Sequence, residues 1–318
     1  MKKYNLMIRY CAAIISVLFL IGGCEIDRGH ESETEELIPV IATLPTEEEE
    51  PLPYPVTVND VRIDAAPKRV VSLSPSLTEI LCEMDYGATV VGRGSYCDFP
   101  AEIAALPDVG KPAKPDYDLI LSLSPDVLFT ATAIPVKDKY RLEEGGVKTV
   151  YLPYPHTVEE FEKIYCAVGM IYEGLFDGEA KGTESFSELK RTLEDTSRLS
   201  LGSFVYLTEG LSPATGDTFE SAVLSRFGEN AAAEGENYSF SSEKLLEAQP
   251  EWILLNSGYT KEDLLSDEVY ASLDAVQNGN VLLIDNSYFE RPSLRLTELL
   301  DSLSEQLGGS NPAGNTEE

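Results

Sequence analysis

Short apolar runs alternate with amphipathic segments twice along the chain, on either side of a long stretch without proline. The first series lies within 56–155 and the second within 201–308. Strands that alternate with helices in this way are typical of a parallel sheet covered by helices. We therefore predict an α/β protein with two lobes, one for each series, which also agrees with a length of 318 residues at roughly 100–200 residues per domain.

Periodicity and turn residues assign the individual elements. The first lobe should begin with a hairpin around Asn59-Asp60, followed by alternating strands and helices at 69–73, 77–84, 89–91, 117–122, 126–129, 136–144 and 149–152. The second lobe should contain strands at 203–207, 251–255 and 281–284, with helices at 219–227, 242–248, 263–275 and 292–307.

The segment between the lobes, 156–200, has the pattern of one long helix. Thr157 and Glu160 form a capping box, and apolar side chains follow at steps of three and four residues. We predict a rigid helical strut of about 40 Å, since each helical residue adds about 1.5 Å. Gly174, Gly178 and Gly182 are the points at which this helix could bend or continue as a second one.

The N-terminus has the pattern of a secretory signal. A positively charged start precedes the apolar segment Ala12–Ile21, which leads to Gly22-Gly23-Cys24. An apolar segment of this length is too short for the roughly 20 residues that a membrane helix needs. Its end resembles the lipobox of bacterial lipoproteins. We predict a signal peptide over 1–23, a lipid on Cys24, and attachment to the extracytoplasmic face of the cell membrane.

Acidic residues dominate the segment after Cys24 and outnumber basic residues in the whole chain. Residues 24–55 are acidic, contain four consecutive glutamates and are interrupted by prolines, which predicts a disordered linker. Residues 309–318 are predicted to form a flexible tail. The 55 acidic residues outnumber the 24 basic ones and give a net charge of −31. A nucleic-acid partner is therefore excluded, because its phosphates would be repelled.

The sequence offers no catalytic signature. It contains no G-x-S-x-G, P-loop or G-x-G-x-x-G motif, and only two histidines, His30 and His156. An enzyme on the same two lobes would need a nucleophile and a base at the cleft. With so few histidines, a resident zinc or manganese site is not expected. Cys82, Cys97 and Cys166 allow one disulfide, and the sequence does not choose the pair. We expect neither enzymatic activity nor a resident cofactor.

An ordered series of short motifs resembles the helical-backbone substrate-binding proteins of bacterial ABC importers, which take up vitamin B12, haem and ferric siderophores. The matching motifs in the first lobe are 69–81, 90–92, 95–100, 106–110 and 123–128, and those in the second lobe are 215–219, 228–232, 242–246 and 249–255. The resemblance covers about 56–308. It implies the class III periplasmic-binding-protein fold, with two Rossmann-like α/β lobes joined by one long rigid helix and a ligand cleft between the lobes.

The motifs 95–100 and 288–295 are most similar to the cobalamin-binding branch of that family. This resemblance implies that the transported ligand is a corrinoid, cobalamin or cobinamide. The walls of the ligand cleft would then be aromatic, since such surfaces suit a flat macrocycle fringed with amides. The ligand-binding residues expected from the resemblance are Tyr96, Ser74, Pro75, Tyr238, Phe240 and Arg291.

Other ligands remain open at this level. The only tryptophan, Trp252, lies in a predicted core strand instead of the cleft. Haem or a ferric siderophore is therefore an alternative, and an anionic siderophore would need a basic cleft. The candidate cations for such a cleft are Arg93, Lys111, Lys114 and Arg291. A sensor lipoprotein that does not transport its ligand is a further alternative.

The resemblance also implies partners. Binding proteins of this family carry one acidic residue on each lobe that pairs with arginines of the permease. Asp118 and Glu243 occupy the matching positions, each near the start of a predicted short helix. We expect the chain to be a monomer that docks on an ABC permease and its ATPase subunits through these two residues.

Overall fold

The computed structural model describes residues 53–196 and 200–308. The predicted signal peptide, the lipidated Cys24, nearly all of the linker and the tail at 309–318 lie outside these residues. Among the described residues there is no helix with the length and apolar character needed to cross a membrane.

The N-terminal lobe is built on a parallel four-stranded sheet in the order β4-β3-β7-β8. Its central strand β3 is buried along its whole length, as expected for a sheet covered on both faces. A β1-β2 hairpin precedes the sheet, and a small β5-β6 ribbon follows β4. The elements are β1 (Val56–Val58), β2 (Val61–Ile63), β3 (Val70–Ser72), α1 (Pro75–Glu83), β4 (Val90–Arg93), α2 (Ala101–Ala104), β5 (Gly110–Lys111), β6 (Lys114–Pro115), α3 (Tyr117–Ser122), β7 (Val127–Thr130), α4 (Val136–Glu144) and β8 (Lys148–Tyr151).

The C-terminal lobe repeats this plan with a parallel sheet in the order β10-β9-β11-β12. Helices again connect the strands, as is usual for connections between parallel strands. The elements, which follow the connecting helix α5 (Val158–Thr196), are β9 (Gly202–Leu207), α6 (Phe219–Leu224), β10 (Gly228–Asn230), α7 (Ser242–Ala248), β11 (Trp252–Asn256), α8 (Lys261–Ser266), α9 (Asp274–Asn278), β12 (Val281–Ile284), α10 (Ser287–Glu290) and α11 (Leu296–Gly308). Two parallel-sheet lobes and a long helix between them confirm the predicted fold class.

The connecting helix α5 differs from the predicted straight strut. Gly174, at φ 81° and ψ −167°, is not helical and divides the 39-residue element into two segments. The segments fold back on each other, because a Cβ on Gly169 would lie 2.1 Å from the carbonyl oxygen of Gly178. Lys190 also pairs with Glu162 across them at 3.4 Å. The glycines therefore form a close helix–helix contact, and the estimate of about 40 Å for one rod is wrong.

Both helical segments contribute to one apolar core that continues into both lobes. Phe161 of the first segment and Phe186 of the second meet edge to face, with ring centroids 5.4 Å apart. Phe161 also contacts Phe219 of α6 at the same centroid distance, 5.4 Å. Burial of such aromatic side chains is a principal source of stability. The lobes are thus joined by shared packing as well as by the chain itself.

A second tie between the lobes is polar and lies at the N-terminal lobe's helix α1. The Ser293 hydroxyl donates to the carboxylate of Glu79 at 2.7 Å. The backbone N–H of Leu294 donates to Glu83 at 3.0 Å, and the Tyr165 hydroxyl donates to the same carboxylate at 2.6 Å. The segment between α10 and α11 is therefore fixed to the opposite lobe.

Two predicted helices differ from the structure because side-chain hydrogen bonds hold backbone groups near their ends, in one case from within the segment and in the other from a distant helix. The helix predicted at 263–275 is divided into α8 and α9, because the Asp267 carboxylate accepts the backbone N–H groups of Val269 at 2.9 Å and Tyr270 at 3.1 Å. Such side-chain bonds compete with helical ones. The helix predicted at 292–307 begins only at Leu296, since Ser293 and Leu294 bind α1 instead.

Candidate interlobe binding cleft

Two cavities lie between the lobes, at the carboxyl ends of the parallel strands, where ligands bind in open α/β sheets. The first, about 240 Å³, is lined by the N-terminal lobe and by Glu290. The second, about 470 Å³, is lined by the C-terminal lobe and by Tyr154. Tyr154 and Glu290 line both cavities. The two cavities are therefore halves of one interlobe cleft.

The N-terminal half of the cleft contains two of the predicted site residues. Ser74 and Pro75 follow β3 and begin α1, and both line the cavity. The Ser74 hydroxyl accepts the backbone N–H of Leu77 at 3.4 Å as the helix cap, and Pro75 occupies the first turn. Ala131 and Thr132 after β7, and Leu152 and Pro153 after β8, complete this largely apolar wall.

Tyr96 lies outside the lining of both cavities. It follows β4 in a turn of the N-terminal lobe, and 47% of its surface is exposed. The Nζ of Lys111 is 5.7 Å from its ring centroid, within the range of a cation–π contact. The structure thus places Tyr96 as an exposed ring with a cation beside it.

The C-terminal half of the cleft contains Tyr238. Its hydroxyl donates to the carboxylate of Glu220, at 3.1 Å and 3.3 Å from the two oxygens. Glu220 is only 6% exposed, and this burial raises the pKa of its carboxyl above the ordinary value. Burial, together with the charge of Glu220, likewise raises the pKa of the Tyr238 hydroxyl. The hydroxyl therefore remains protonated at neutral pH.

Two other predicted residues do not line the cleft. Phe240 is half-buried and packs against the core beneath β9 and β11, a cluster that includes Val205 and Ile253. Arg291 pairs with Asp98 of the opposite lobe at 2.5 Å. In this arrangement apolar packing holds the Phe240 ring, and a carboxylate of the opposite lobe holds the Arg291 guanidinium.

The sequence analysis missed most of the residues that line the cleft. Among them are Tyr154, Glu220, Asn286 and Glu290. Tyr154 follows β8, and Asn286 follows β12, so both positions could have been found from the rule that strand ends meet at the cleft. Glu220, one acid among 55, gave no signal of its own. Its burial at the start of α6 is visible only in the folded protein.

The charge of the cleft is negative. Glu209, Glu220 and Glu290 are the charged residues among the described ones that line the two cavities, and no described lysine, arginine or histidine lines either. Arg93, one of the candidate cations, instead pairs with Asp108 at 3.6 Å and donates to backbone carbonyl groups. The described residues that line these two cavities therefore do not form the basic cleft that an anionic siderophore would need.

The other singled-out side chains lie away from the cleft. Asp118 is 84% exposed at the start of α3 and pairs with Arg141 of α4. Glu243, in the first turn of α7, accepts the Ser241 hydroxyl at 2.6 Å, a bond that lowers the pKa of its carboxyl. Cys82, Cys97 and Cys166 are free thiols. In the described part of the chain no three His, Cys, Asp or Glu side chains are grouped so as to hold a metal ion.

Comparisons with known proteins agree with this architecture. YvrC of Bacillus subtilis, an uncharacterized ABC transporter substrate-binding lipoprotein, is 26% identical over 282 residues, which cover 80% of this chain and 86% of the relative. The periplasmic vitamin B12 binding protein BtuF of Vibrio cholerae superposes with a TM-score of 0.60 at 21% identity, covering 76% of this chain and 97% of that one. The periplasmic heme binding protein HutB of Vibrio cholerae gives a TM-score of 0.65 at 18% identity, covering 75% and 98%.

These structural likenesses confirm the predicted class of fold. The family model described as periplasmic binding protein matches residues 70–288, which include the sheets of both lobes and the connecting helix. The match extends over more than half of the chain. The protein therefore belongs to the periplasmic binding protein family.

Proposed function

We propose that this protein is the substrate-binding lipoprotein of an ABC importer, and that it captures a corrinoid in the interlobe cleft and delivers it to the permease. The relative YvrC is an ABC transporter substrate-binding lipoprotein, and the structural neighbour BtuF binds vitamin B12. The observation that carries the proposal is the single cleft formed by two cavities that meet at Tyr154 and Glu290.

The lining of this cleft suits a flat macrocycle fringed with amides. Tyr238 supplies aromatic surface from the C-terminal lobe, and Tyr154, Pro75 and Leu73 supply aromatic and apolar surface from the N-terminal lobe. Sites for small molecules combine apolar walls of this kind with a few polar groups that set orientation. The Asn286 amide and the Glu290 carboxylate are such groups here, and a hydrogen bond of 2.9 Å between them fixes their positions.

Charge favours a corrinoid over the alternatives. The amide fringe of a corrin offers N–H donors, which the carboxylates of Glu220 and Glu290 can accept. Haem carries two propionates, and many ferric siderophores are anionic, so both classes would meet like charge in a partly desolvated cleft. Since no described cation lines the cavities, nothing in them compensates that repulsion. Haem remains the competing ligand because the neighbour HutB binds heme.

Anchoring and docking complete the proposal. A lipid on Cys24 would hold the protein at the membrane, and the acidic linker would let the folded body reach its permease. Asp118 and Glu243 are exposed acids on different lobes and are the proposed contacts for permease arginines. Both lie in the first turn of a helix, where the helix dipole also favours a carboxylate.

The test is a titration of the full chain in detergent with cobinamide, cobalamin, haemin and a ferric siderophore, followed by absorbance. We expect corrinoid binding that weakens about tenfold in Tyr238→Ala, because an aromatic contact and its apolar area are lost. Tyr140→Ala is the matched control, since Tyr140 is 64% exposed on α4. Haemin binding without corrinoid binding would rule out a corrinoid as the ligand. Absence of binding to all four chelates would favour the sensor alternative.

A further inference from the structure

The loop that carries Tyr238 into the cleft is strained. Asn237 and Tyr238 have φ values of 53° and 58°, in the left-handed backbone region that residues other than glycine adopt less often. The backbone of Glu236 and Ser239 pairs across them, with N···O distances of 3.3 Å and 3.0 Å. Two consecutive residues with positive φ are what a tight primed turn requires, and asparagine suits the first position, whereas a tyrosine at the second has no such preference.

Side chains from the segment before α6 hold this turn. The carboxylate of Asp217 accepts the backbone N–H of Asn237, at 2.9 Å and 3.2 Å from its two oxygens. The Thr215 hydroxyl donates to Asp217 at 2.6 Å, and its oxygen accepts the backbone N–H of Tyr238 at 3.0 Å. The Asp217 carboxylate therefore binds the N–H of Asn237 directly and the N–H of Tyr238 through the Thr215 hydroxyl.

This arrangement uses both carboxylate oxygens of Asp217 as acceptors. Because a carboxylate only accepts, it orients the Thr215 hydroxyl hydrogen toward itself and leaves the Thr215 oxygen free to accept from Tyr238. An asparagine would bring an NH₂ group against either the N–H of Asn237 or the hydroxyl hydrogen of Thr215. The bonds from Thr215 and from the N–H of Asn237 also lower the pKa of the Asp217 carboxyl, so it remains ionised.

Asp217 itself lies outside both cavities, whereas Tyr238 and its hydroxyl partner Glu220 line the larger one. We propose that Asp217 is a positioning residue for ligand binding: it holds the strained 236–239 turn in the conformation that presents the Tyr238 ring to the cleft. The ligand part of this inference rests on the proposed function, whereas the positioning part does not. Without Asp217 the turn relaxes, and the ligand meets a cleft whose aromatic wall is in place only part of the time.

The experiment compares the full chain in detergent with Asp217→Asn and with the matched control Asp263→Asn. Asp263 also accepts a backbone N–H and a threonine hydroxyl, both from Thr260 at 2.7 Å, but it caps α8 and lines neither cavity. Amide hydrogen exchange of the ligand-free proteins is measured by mass spectrometry over 236–240. We expect faster exchange at Asn237 and Tyr238 in Asp217→Asn only.

Cobinamide titration supplies the second readout. If one tenth of the molecules keep the competent turn, the apparent Kd rises about tenfold in Asp217→Asn. In the Tyr238→Ala background the same change should have almost no further effect, because both substitutions act through one ring. A purely structural role would weaken stability equally in both backgrounds and would not produce this coupling. Thr215→Val should raise the apparent Kd for cobinamide as Asp217→Asn does. Thr215→Ser keeps the hydroxyl and should bind cobinamide as the wild type does.

The outcomes separate the two proposals. Unchanged exchange over 236–240 in both Asp217→Asn and Thr215→Val overturns the positioning role, whatever the ligand. Faster exchange with fully additive effects of Asp217→Asn and Tyr238→Ala on cobinamide binding also overturns it. Faster exchange in a protein whose wild type does not bind cobinamide supports the positioning role and discards the corrinoid.

Discussion

Replacement of Glu83 by glutamine should make the folded protein less sensitive to alkaline pH. Glu83 lies at the end of α1, and burial raises the pKa of its carboxyl from 4.5 to about 7, although bonds from Tyr165 and Leu294 act in the opposite direction. The folded state therefore holds this proton more tightly than the unfolded chain does. Its stabilising contribution is complete below pH 4.5 and is lost as the pH rises through 7.

The size of the effect follows from these two pKa values. One pKa unit corresponds to about 1.4 kcal/mol, so the full loss is about 3 kcal/mol, of which about 2.5 kcal/mol falls between pH 5 and 8.5. Urea unfolding across this range should show Glu83→Gln gaining that amount relative to wild type, because glutamine does not ionise. Glu262→Gln, at an exposed position on α8, is the control. Parallel curves for wild type and Glu83→Gln would refute the reasoning.

Three further predictions concern other parts of the molecule. Gly169→Ala should lower the free energy of unfolding by about 1–3 kcal/mol in a urea titration, because the added Cβ would enter the facing segment of α5. Gly258→Ala is the control and should change the free energy of unfolding little. Asn230→Ala should cost a similar amount in thermal unfolding, since the buried amide donates to Ala214 and Ser221 at 2.9 Å and 2.8 Å. Asp118→Asn should leave cobinamide binding unchanged and reduce stimulation of the reconstituted permease's ATPase activity, and full stimulation would remove its docking role.

Local signals determined much of the fold correctly. The helices predicted at 117–122, 136–144 and 242–248 match α3, α4 and α7 at both ends. Two of them begin at a capping side chain, Asp116 for α3 and Ser241 for α7, and a cap acts within its own turn. The hairpin around Asn59-Asp60 is confirmed for the same reason, because both residues adopt the positive φ that its turn needs.

The elements that were missed depend on distant residues. The shift of the last helix to Leu296 requires the carboxylates of Glu79 and Glu83, which are more than 200 positions away along the chain. The edge strand β10 (Gly228–Asn230) has no apolar run, and it forms only because β9 offers a parallel partner. The division of α5 into two segments agrees with the sequence analysis, which named Gly174, Gly178 and Gly182 as points where the helix could bend or continue as a second one.

The same division holds for the cleft. Sequence alone fixed the two α/β lobes, the capped helices and the acidic balance of the chain, because these depend on neighbouring residues and on composition. Tertiary structure alone decided that Arg291 pairs with Asp98, that Phe240 joins a core, and that Glu220 meets Tyr238 in a cavity. Each of these contacts joins residues whose separation along the chain carries no periodic signal, so only the packing of the lobes could bring them together.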